Sequence, residues 1–225
     1  MRKSRLIRKS DSPQAGWYLA AVALLIFCSP LKAETGQPEQ GPAGSSQSAQ
    51  YQVWIQDPYT SENVLTTVRE PDQSLWNGAR ITDYEESLRL QMPPPLGILT
   101  IDKLNINVPI YNGTYELNLN RGAGRVKGMA KMDEVGNLGI SSHRDGFFRG
   151  LKDIQVGDDI EIQTTRGVQH YSVSDISIIP KEDISPMKPT TDKTLTLVTC
   201  YPFYFVGHAP KRYIVTATAE EPLIE

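Results

Sequence analysis

Residues 159–179 read DIEIQTTRGVQHYSVSDISII, and this stretch decides the fold class. Apolar and polar side chains alternate through Asp159–Gln163, and a second alternating run begins after Thr165-Arg166-Gly167. Alternation with a period of two is typical of a strand with one buried face, and a short Gly-containing break between two such runs is typical of a hairpin. The stretch therefore predicts two antiparallel strands.

Runs of the same kind recur on both sides of this hairpin, separated by Gly, Pro, Asn and Asp. The predicted strands are Gly97–Ile101, Asn107–Tyr111, Leu138–Ser142, Asp159–Thr164, Val168–Ile179, Thr194–Cys200 and Arg212–Thr218. Seven or so short strands within about 125 residues indicate an all-β domain, either a closed barrel or a sandwich.

The segment before this domain divides into a helix and a linker. Apolar residues recur at helical spacing from Trp76 to Leu88, and the prolines at 93–95 end the pattern, which predicts an amphipathic lead-in helix within residues 76–95. Residues 34–75 are predicted to be a flexible linker, because Glu34–Gln52 consists mainly of Gln, Gly, Pro and Ser.

Residues 1–33 are predicted to be a signal or anchor segment. Gly16–Leu31 carries no charge, and its sixteen residues lie between a signal-peptide core of about 7–15 residues and a spanning helix of about 17–25. Cleavage after Ala33 is one alternative; an uncleaved anchor is favoured, because Leu31 is larger than the residue preferred there. Cys28 is interpreted as a membrane-facing thiol, since Phe27 is too bulky for a lipid-attachment site.

Charge is distributed unevenly along the chain. The formal charge is −3 overall, with +5 up to Ala33 and −8 beyond it. Basic residues before an apolar run predict that the N-terminus stays in the cytoplasm and that the domain lies on the extracytoplasmic side of the cytoplasmic membrane. An acidic domain without a basic stripe argues against nucleic acid as a partner.

Two short motifs resemble functional loops but lack the context that those loops need. His143-Arg144-Asp145 begins like a kinase catalytic loop, yet Gly150 stands where that loop requires Asn. Gly122-Ala123-Gly124 is not followed by the Lys-Ser/Thr of a phosphate loop. The three histidines are scattered without ligand spacing, so neither a metal nor a cofactor is expected.

The remaining candidates for chemistry are Cys200, His143 and Arg212, each at the end of a predicted strand. A thiol attacks a carbonyl as the thiolate, which a cationic neighbour stabilises, and a histidine can supply that charge and then protonate a leaving amine. An arginine offers a planar fork of donors for an oxyanion or a substrate carbonyl. The alternative is a buried structural Cys and an ordinary surface His.

Several motifs together resemble the sortase family. They are Thr196-Leu197-Val198-Thr199-Cys200 with an Arg twelve residues later, Gly139-Ile140-Ser141-Ser142-His143-Arg144-Asp145, Gly97-Ile98-Leu99-Thr100-Ile101 and Leu104-Asn105-Ile106-Asn107-Val108-Pro109-Ile110. The resemblance implies an eight-stranded sortase-type β-barrel with short helices over residues 96–220. It also implies a cysteine transpeptidase with Cys200 as nucleophile, His143 as general acid/base and Arg212 as substrate or oxyanion stabiliser.

The resemblance further implies the partners. Substrates would be surface or secreted proteins with a C-terminal sorting signal of the Leu-Pro-x-Thr-Gly type, and the acceptor would be an amine of a cell-envelope peptide or a protein Lys. The segments around His143 and Cys200 are most similar to class D and proteobacterial sortases. By resemblance, Pro180–Lys193 would hold the signal peptide, beside the aromatic residues 201 and 203–205, which could equally be packing.

Two further features each allow a functional and an ordinary interpretation. Asp57-Pro58-Tyr59 resembles the lid of pilus-building sortases, although a simple turn is the preferred interpretation in this Pro-rich region. His208 could be a second titrating group near the site, but a solvated loop His is preferred.

Other functions stay open at the level of the residues. A cysteine endopeptidase or amidase would use the same residues with water as acceptor, and a non-catalytic β-domain that binds a surface ligand would need none of them. A papain-like enzyme is disfavoured because His143 precedes Cys200. The Ser-x-Gly-Cys context of L,D-transpeptidases is absent.

Overall fold

The computed structural model of the chain describes residues 49–57, 59–204, 207 and 209–220. The strands are β1 (Gln50–Gln56), β2 (Asn63–Arg69), β3 (Gly97–Ile101), β4 (Ile106–Asn112), β5 (Ala123–Arg125), β6 (Asn137–Ser141), β7 (Asp159–Thr164), β8 (Gly167–Pro180), β9 (Thr194–Tyr201) and β10 (Lys211–Ala219). The α-helices are α1 (Gly78–Leu88) and α2 (Glu116–Arg121), and 3₁₀ turns cover Asp102–Leu104, Arg149–Asp153 and Ser185–Met187.

The segment predicted at residues 1–33 lies outside the described residues. In the part of the chain that the structure describes, no helix is long and apolar enough to cross a membrane.

Eight strands form a closed barrel in the order β10-β8-β7-β3-β4-β5-β6-β9. Neighbouring strands are antiparallel except for the pairs β4–β5 and β6–β9, which are parallel. The prediction of an all-β, eight-stranded barrel is confirmed, and the sandwich alternative is wrong. All seven predicted strands are present; the eighth, β5, was missed because three residues, one of them Gly, are too few to display alternation.

Alternate side chains of the barrel strands fill the interior, as the period of two requires. The buried cluster includes Leu99, Ile101, Val108, Ile110, Ile140, Ile160, Ile162, Leu195, Leu197 and Val215. The longest strand, β8, spans the barrel: Gly167 at its start pairs with Thr164, and Ile179 near its end pairs with Arg212. Those two pairs mark opposite ends of the barrel, about 40 Å apart along the strand.

The linker predicted over residues 34–75 requires a correction. Gln50–Gln56 and Asn63–Arg69 pair as the antiparallel hairpin β1–β2, in which Ile55 and Val68 are buried and pack with Ile98 of the barrel. Glutamines occupy alternate positions of β1, so the composition resembles a spacer while the intervening Tyr51, Val53 and Ile55 form a typical apolar face.

The helix predicted within residues 76–95 occupies Gly78–Leu88. Asn77 caps it, its side chain accepting a hydrogen bond from the Arg80 backbone N–H at 2.9 Å. Trp76 and Tyr84 bring the apolar side of this segment against Phe147, with ring centroids 5.1 and 5.9 Å from that ring. The helix is therefore fastened to the segment that follows β6.

Candidate active site

The barrel brings the ends of three adjacent strands to one edge. Cys200 on β9 pairs directly with Arg212 on β10. On the other side of β9, Ser141 of the parallel strand β6 pairs with Val198. His143 follows Ser141 by two residues, as Cys200 follows Val198, so His143 comes level with Cys200. The three predicted residues thus form one row across the ends of neighbouring strands.

Cys200 and Arg212 share the outer face of the barrel. Leu195, Leu197 and Thr199 alternate into the buried side of β9, which leaves Cys200 on the outside as a partly exposed free thiol. Directly opposed residues of an antiparallel pair project from the same face, so the Arg212 side chain emerges beside that thiol. The alternative of a fully buried structural cysteine does not apply.

Two buried hydroxyls hold the end of β6 against its neighbours. Thr199 donates a hydrogen bond from Oγ1 to the carbonyl of Ser142 at 2.8 Å, and Ser142 donates from Oγ to the carbonyl of Gly122 at 2.8 Å. The two side chains are 2% and 4% exposed. His143 directly follows this doubly anchored residue, so its backbone position is fixed relative to Cys200.

The imidazole of His143 is mostly buried, with 21% of its side chain exposed. Its Nε2 lies 3.2 Å from Oε1 of Glu116, so the contact is an ion pair when the ring is protonated. Burial lowers the pKa of His143 below 6.5 and the charge of Arg80 adds to this effect, whereas Glu116 and Asp145 oppose it. Burial therefore favours the neutral form of the ring.

The aspartate of His143-Arg144-Asp145 has a structural role. Asp145 accepts a hydrogen bond from Nδ2 of Asn77 at 3.3 Å and forms an ion pair with Arg80 at 3.4 Å. Sequence reasoning missed Arg80 and Glu116, because each is an ordinary charged residue of a helix and no motif distinguishes it.

Arg212 is held by its own chain. Its Nη1 donates to the carbonyls of Ala209 and Lys211 at 3.3 and 3.0 Å. Within the described ranges it forms no ion pair with a carboxylate, so its charge is not neutralised by an acidic neighbour. A guanidinium in this state suits a substrate carbonyl or a developing oxyanion.

The connection before β9, within Pro180–Lys193, is anchored to the barrel. Nδ2 of Asn137 donates to the carbonyls of Pro186 and Lys188 at 2.8 and 2.9 Å. Ile184 in the same connection is 73% exposed. The predicted role of this connection in holding a peptide stays a prediction.

The aromatic residues after Cys200 divide into two groups. Tyr201 and Phe203 pack with Tyr213, with ring centroids 5.2 to 6.3 Å apart, and belong to the packing of the barrel. Tyr204 is 71% exposed and lies over the guanidinium of Arg149 at 4.5 Å. Phe205 and His208 lie outside the described residues.

The segment that resembles a lid does not lie at the row of strand ends. Asp57 caps its own turn by accepting hydrogen bonds from the backbone N–H groups of Tyr59 and Thr60, and it pairs with Arg166 at 3.5 Å. Tyr59 lies beneath the ammonium of Lys131. Arg166 belongs to the turn between β7 and β8, at the opposite end of the barrel from Cys200, so the interpretation as a turn holds.

One group of potential metal ligands occurs among the described residues. Asp159, Glu161 and His170 bring three donor atoms within 4.8 Å of one another on β7 and β8. All three side chains are substantially exposed, and His170 already pairs with Asp159 at 3.2 Å. His170 thus acquires its acidic neighbours through the pairing of β7 with β8.

Comparison with known proteins agrees with this geometry. The family model of the sortase domain matches residues 99–220. The chain is 39% identical over 120 residues to Sortase D of Bacillus subtilis strain 168, an alignment that covers 53% of this chain and 61% of that protein, and it agrees with the class D resemblance. The chain therefore spans less than two thirds of the length of that relative.

Solved structures give the same result. Sortase C1 of Streptococcus agalactiae superposes with a TM-score of 0.54 at 27% identity, covering 58% of this chain and 69% of that one. A Clostridium perfringens Sortase D5 transpeptidase shares the fold, with a TM-score of 0.53 at 24% identity over 66% and 93% of the two chains. With the family model matching more than half of its residues, this chain belongs to the sortase family.

Proposed function

We propose that this protein is a membrane-tethered cysteine transpeptidase that cleaves a C-terminal sorting signal and transfers the cleaved protein to an amine. The observation that carries the proposal is the row formed by His143, Cys200 and Arg212 on adjacent strands of a sortase barrel. The free, partly exposed thiol of Cys200 supports its assignment as the nucleophile.

In the first half of the reaction, Sγ of Cys200 attacks the carbonyl carbon of the scissile peptide bond. The His143 imidazole takes the thiol proton, the C–S bond forms, the C–N bond breaks, and the resulting imidazolium gives that proton to the leaving amine. The guanidinium of Arg212, on the same face as the thiol, donates hydrogen bonds to the oxyanion or to substrate carbonyls. The product is a thioester on Cys200.

In the second half, the acceptor amine attacks the thioester. A C–N bond forms, the C–S bond breaks, and the proton lost by the amine returns through His143 as the thiol is regenerated. We propose surface or secreted proteins with a sorting signal of the Leu-Pro-x-Thr-Gly type as donors, and an amine of a cell-envelope peptide or protein Lys as acceptor. The acceptor distinguishes this enzyme from an endopeptidase, which would use water.

The test is transfer of a sorting-signal peptide to an added amine, followed by mass spectrometry of the products. We expect an amide product that contains the amine, and a trapped thioester on Cys200 and not on Cys28, which serves as the matched thiol in the same chain. Cys200→Ala should abolish both, whereas Cys28→Ser should change neither. Products that never contain the amine would favour the endopeptidase, and wild-type turnover by Cys200→Ala would end the enzyme proposal.

The proposed location is the extracytoplasmic side of the cytoplasmic membrane. Gly16–Leu31 supports an uncleaved anchor, and the basic residues before it support a cytoplasmic N-terminus. We expect the chain to resist carbonate extraction and protease added outside spheroplasts to digest the barrel. A mature N-terminus at residue 34 would replace the anchor with a cleaved signal peptide.

A further inference from the structure

Helix α1, its cap residue Asn77 and the preceding Trp76 contact the segment that carries His143. The Asn77 amide and the Arg80 guanidinium both contact Asp145, two residues beyond His143. Trp76 and Tyr84 enclose Phe147. Because Ser142 fixes the other side of His143, the histidine lies between an anchor from the barrel and an anchor from α1.

Arg80 lies alongside this segment, next to the glycine that follows Asp145. Its Cδ and the Cβ of His143 both lie within 4 Å of the position that a side chain at Gly146 would occupy, so the two side chains flank that glycine. The Arg80 side chain is only 11% exposed, and Nη1 is further fixed by Oδ1 of Asn120 at 2.6 Å. A buried cation held from two sides keeps its position, and its field is weakly screened by water.

We propose that Arg80 is a positioning residue for His143: it ties the His143 segment to α1 through Asp145 and keeps a fixed positive charge beside the imidazole. The proposal rests on the proposed function, in which His143 carries the proton. It adds a residue from outside the part of the chain that matches the sortase family model, residues 99–220.

The charge of Arg80 acts within a defined set of neighbours. Among the residues that the structure describes, the charged and titratable groups on the elements around His143 are Arg80 and Asp83 on α1, Glu116 on α2, Arg144 and Asp145 in the turn, and Cys200 and Arg212 on β9 and β10. Arg80 disfavours the imidazolium, whereas Glu116 and Asp145 favour it. Removal of the Arg80 charge should therefore raise the pKa of His143, and removal of the Glu116 charge should lower it.

The experiment is an NMR titration of the histidine ring signals in the whole chain, in a Cys200→Ala background. The chain has only three histidines, so the signal of His143 can be assigned by its loss in His143→Gln. We expect Arg80→Gln to raise the pKa of His143 by roughly half to one unit and Glu116→Gln to lower it. Arg80→Lys, which keeps the charge, should restore most of the wild-type value.

The matched control is Arg89→Gln, which removes the same charge from the exposed end of α1, about 13 Å along the helix from Arg80. This variant should leave the pKa of His143 unchanged. A pKa that stays within about 0.2 units of wild type in folded Arg80→Gln would overturn the proposal, as would an equal shift in Arg89→Gln. If Arg80→Gln does not fold, Arg80→Met is titrated in its place: the pKa of His143 should again rise, and no change would overturn the proposal.

A second readout connects the proposal with reactivity. In a Cys28→Ser background, the limb of the kcat/KM pH profile that follows His143 should shift to higher pH in Arg80→Gln and to lower pH in Glu116→Gln. The titration needs no turnover, so a shift of the His143 pKa without any peptide transfer would refute the proposed function and leave this inference standing. Normal peptide transfer without a shift of the His143 pKa would support the proposed function and refute this inference.

Discussion

Replacement of Thr199 by Val tests whether the catalytic row depends on a single buried hydrogen bond. The substitution keeps the shape of the side chain but removes the hydroxyl that donates to the Ser142 carbonyl at 2.8 Å. Thr199 is 2% exposed, so water cannot replace the lost donor. A buried acceptor left unsatisfied costs about 1–3 kcal/mol, which corresponds to a loss of roughly 2–12 °C in Tm for a domain of this size.

The same change should affect turnover more than stability alone explains. Ser142 immediately precedes His143, so release of its carbonyl frees the imidazole to move relative to Cys200. A misplacement of about 1 Å can reduce a rate by up to 100-fold, and we therefore expect kcat/KM for peptide transfer to fall at least about tenfold in Thr199→Val. The assay pairs thermal unfolding with transfer kinetics, measured well below the Tm of the variant.

The matched control is Thr164→Val at the opposite end of the barrel. Thr164 is 4% exposed; its Oγ1 donates to Oδ1 of Asp133 and accepts from the Arg166 backbone N–H, both at 3.1 Å, so the same substitution also removes a hydrogen-bonded buried hydroxyl there. Its Tm should fall by a similar amount, with kcat/KM within about twofold of wild type. Equal losses of kcat/KM in both variants, or none in Thr199→Val despite a lower Tm, would refute the reasoning.

Other substitutions separately test the guanidinium, the barrel and the charge of the imidazole. Arg212→Lys replaces a fork of donors by a point charge, so kcat/KM should fall about 100-fold while the urea midpoint is unchanged; a fall below about threefold would contradict the assigned role. Gly97→Ala would overlap the backbone oxygen of Gln163 on β7, and urea titration should show a loss of about 1–3 kcal/mol. Burial lowers the pKa of His143 in the folded state, so the unfolded chain binds the proton first as pH falls. The free energy of unfolding should therefore decrease from pH 7 to pH 5, and it should decrease less steeply in His143→Gln. An identical slope in the two proteins would contradict this.

The barrel strands were predictable because each carries its signal locally. Asp159–Thr164 was located to the residue because one face is buried and alternation records that burial, and Gly97–Ile101 because it is a short apolar run buried at four of its five positions. The hairpin β1–β2 has the same alternation, but its Gln-rich composition resembled a spacer, and only packing on Ile98 reveals it. The three-residue strand β5 has too few positions for any pattern.

The candidate site was predictable only in part. Cys200, His143 and Arg212 could be named from strand ends and from the sortase resemblance, since these features lie in short motifs. Arg80 and Glu116 could not, because their importance depends on where α1 and α2 pack against the barrel. A charged residue in a helix has the same local pattern whether it faces solvent or an imidazole, so only the tertiary contact distinguishes the two.

The arrangement makes catalysis depend on strand register. Cys200 lies opposite Arg212, and His143 lies level with it through the parallel pairing of Ser141 with Val198. A slip of one residue in β9 would turn Cys200 into the barrel and expose Thr199, because adjacent residues of a strand face opposite sides. The hydroxyl of Thr199 already bonds across to Ser142, and Leu195 and Leu197 fill the core, so such a slip would lose a buried hydrogen bond and two buried side chains. The interactions that stabilise the barrel therefore also select the one register in which the row exists.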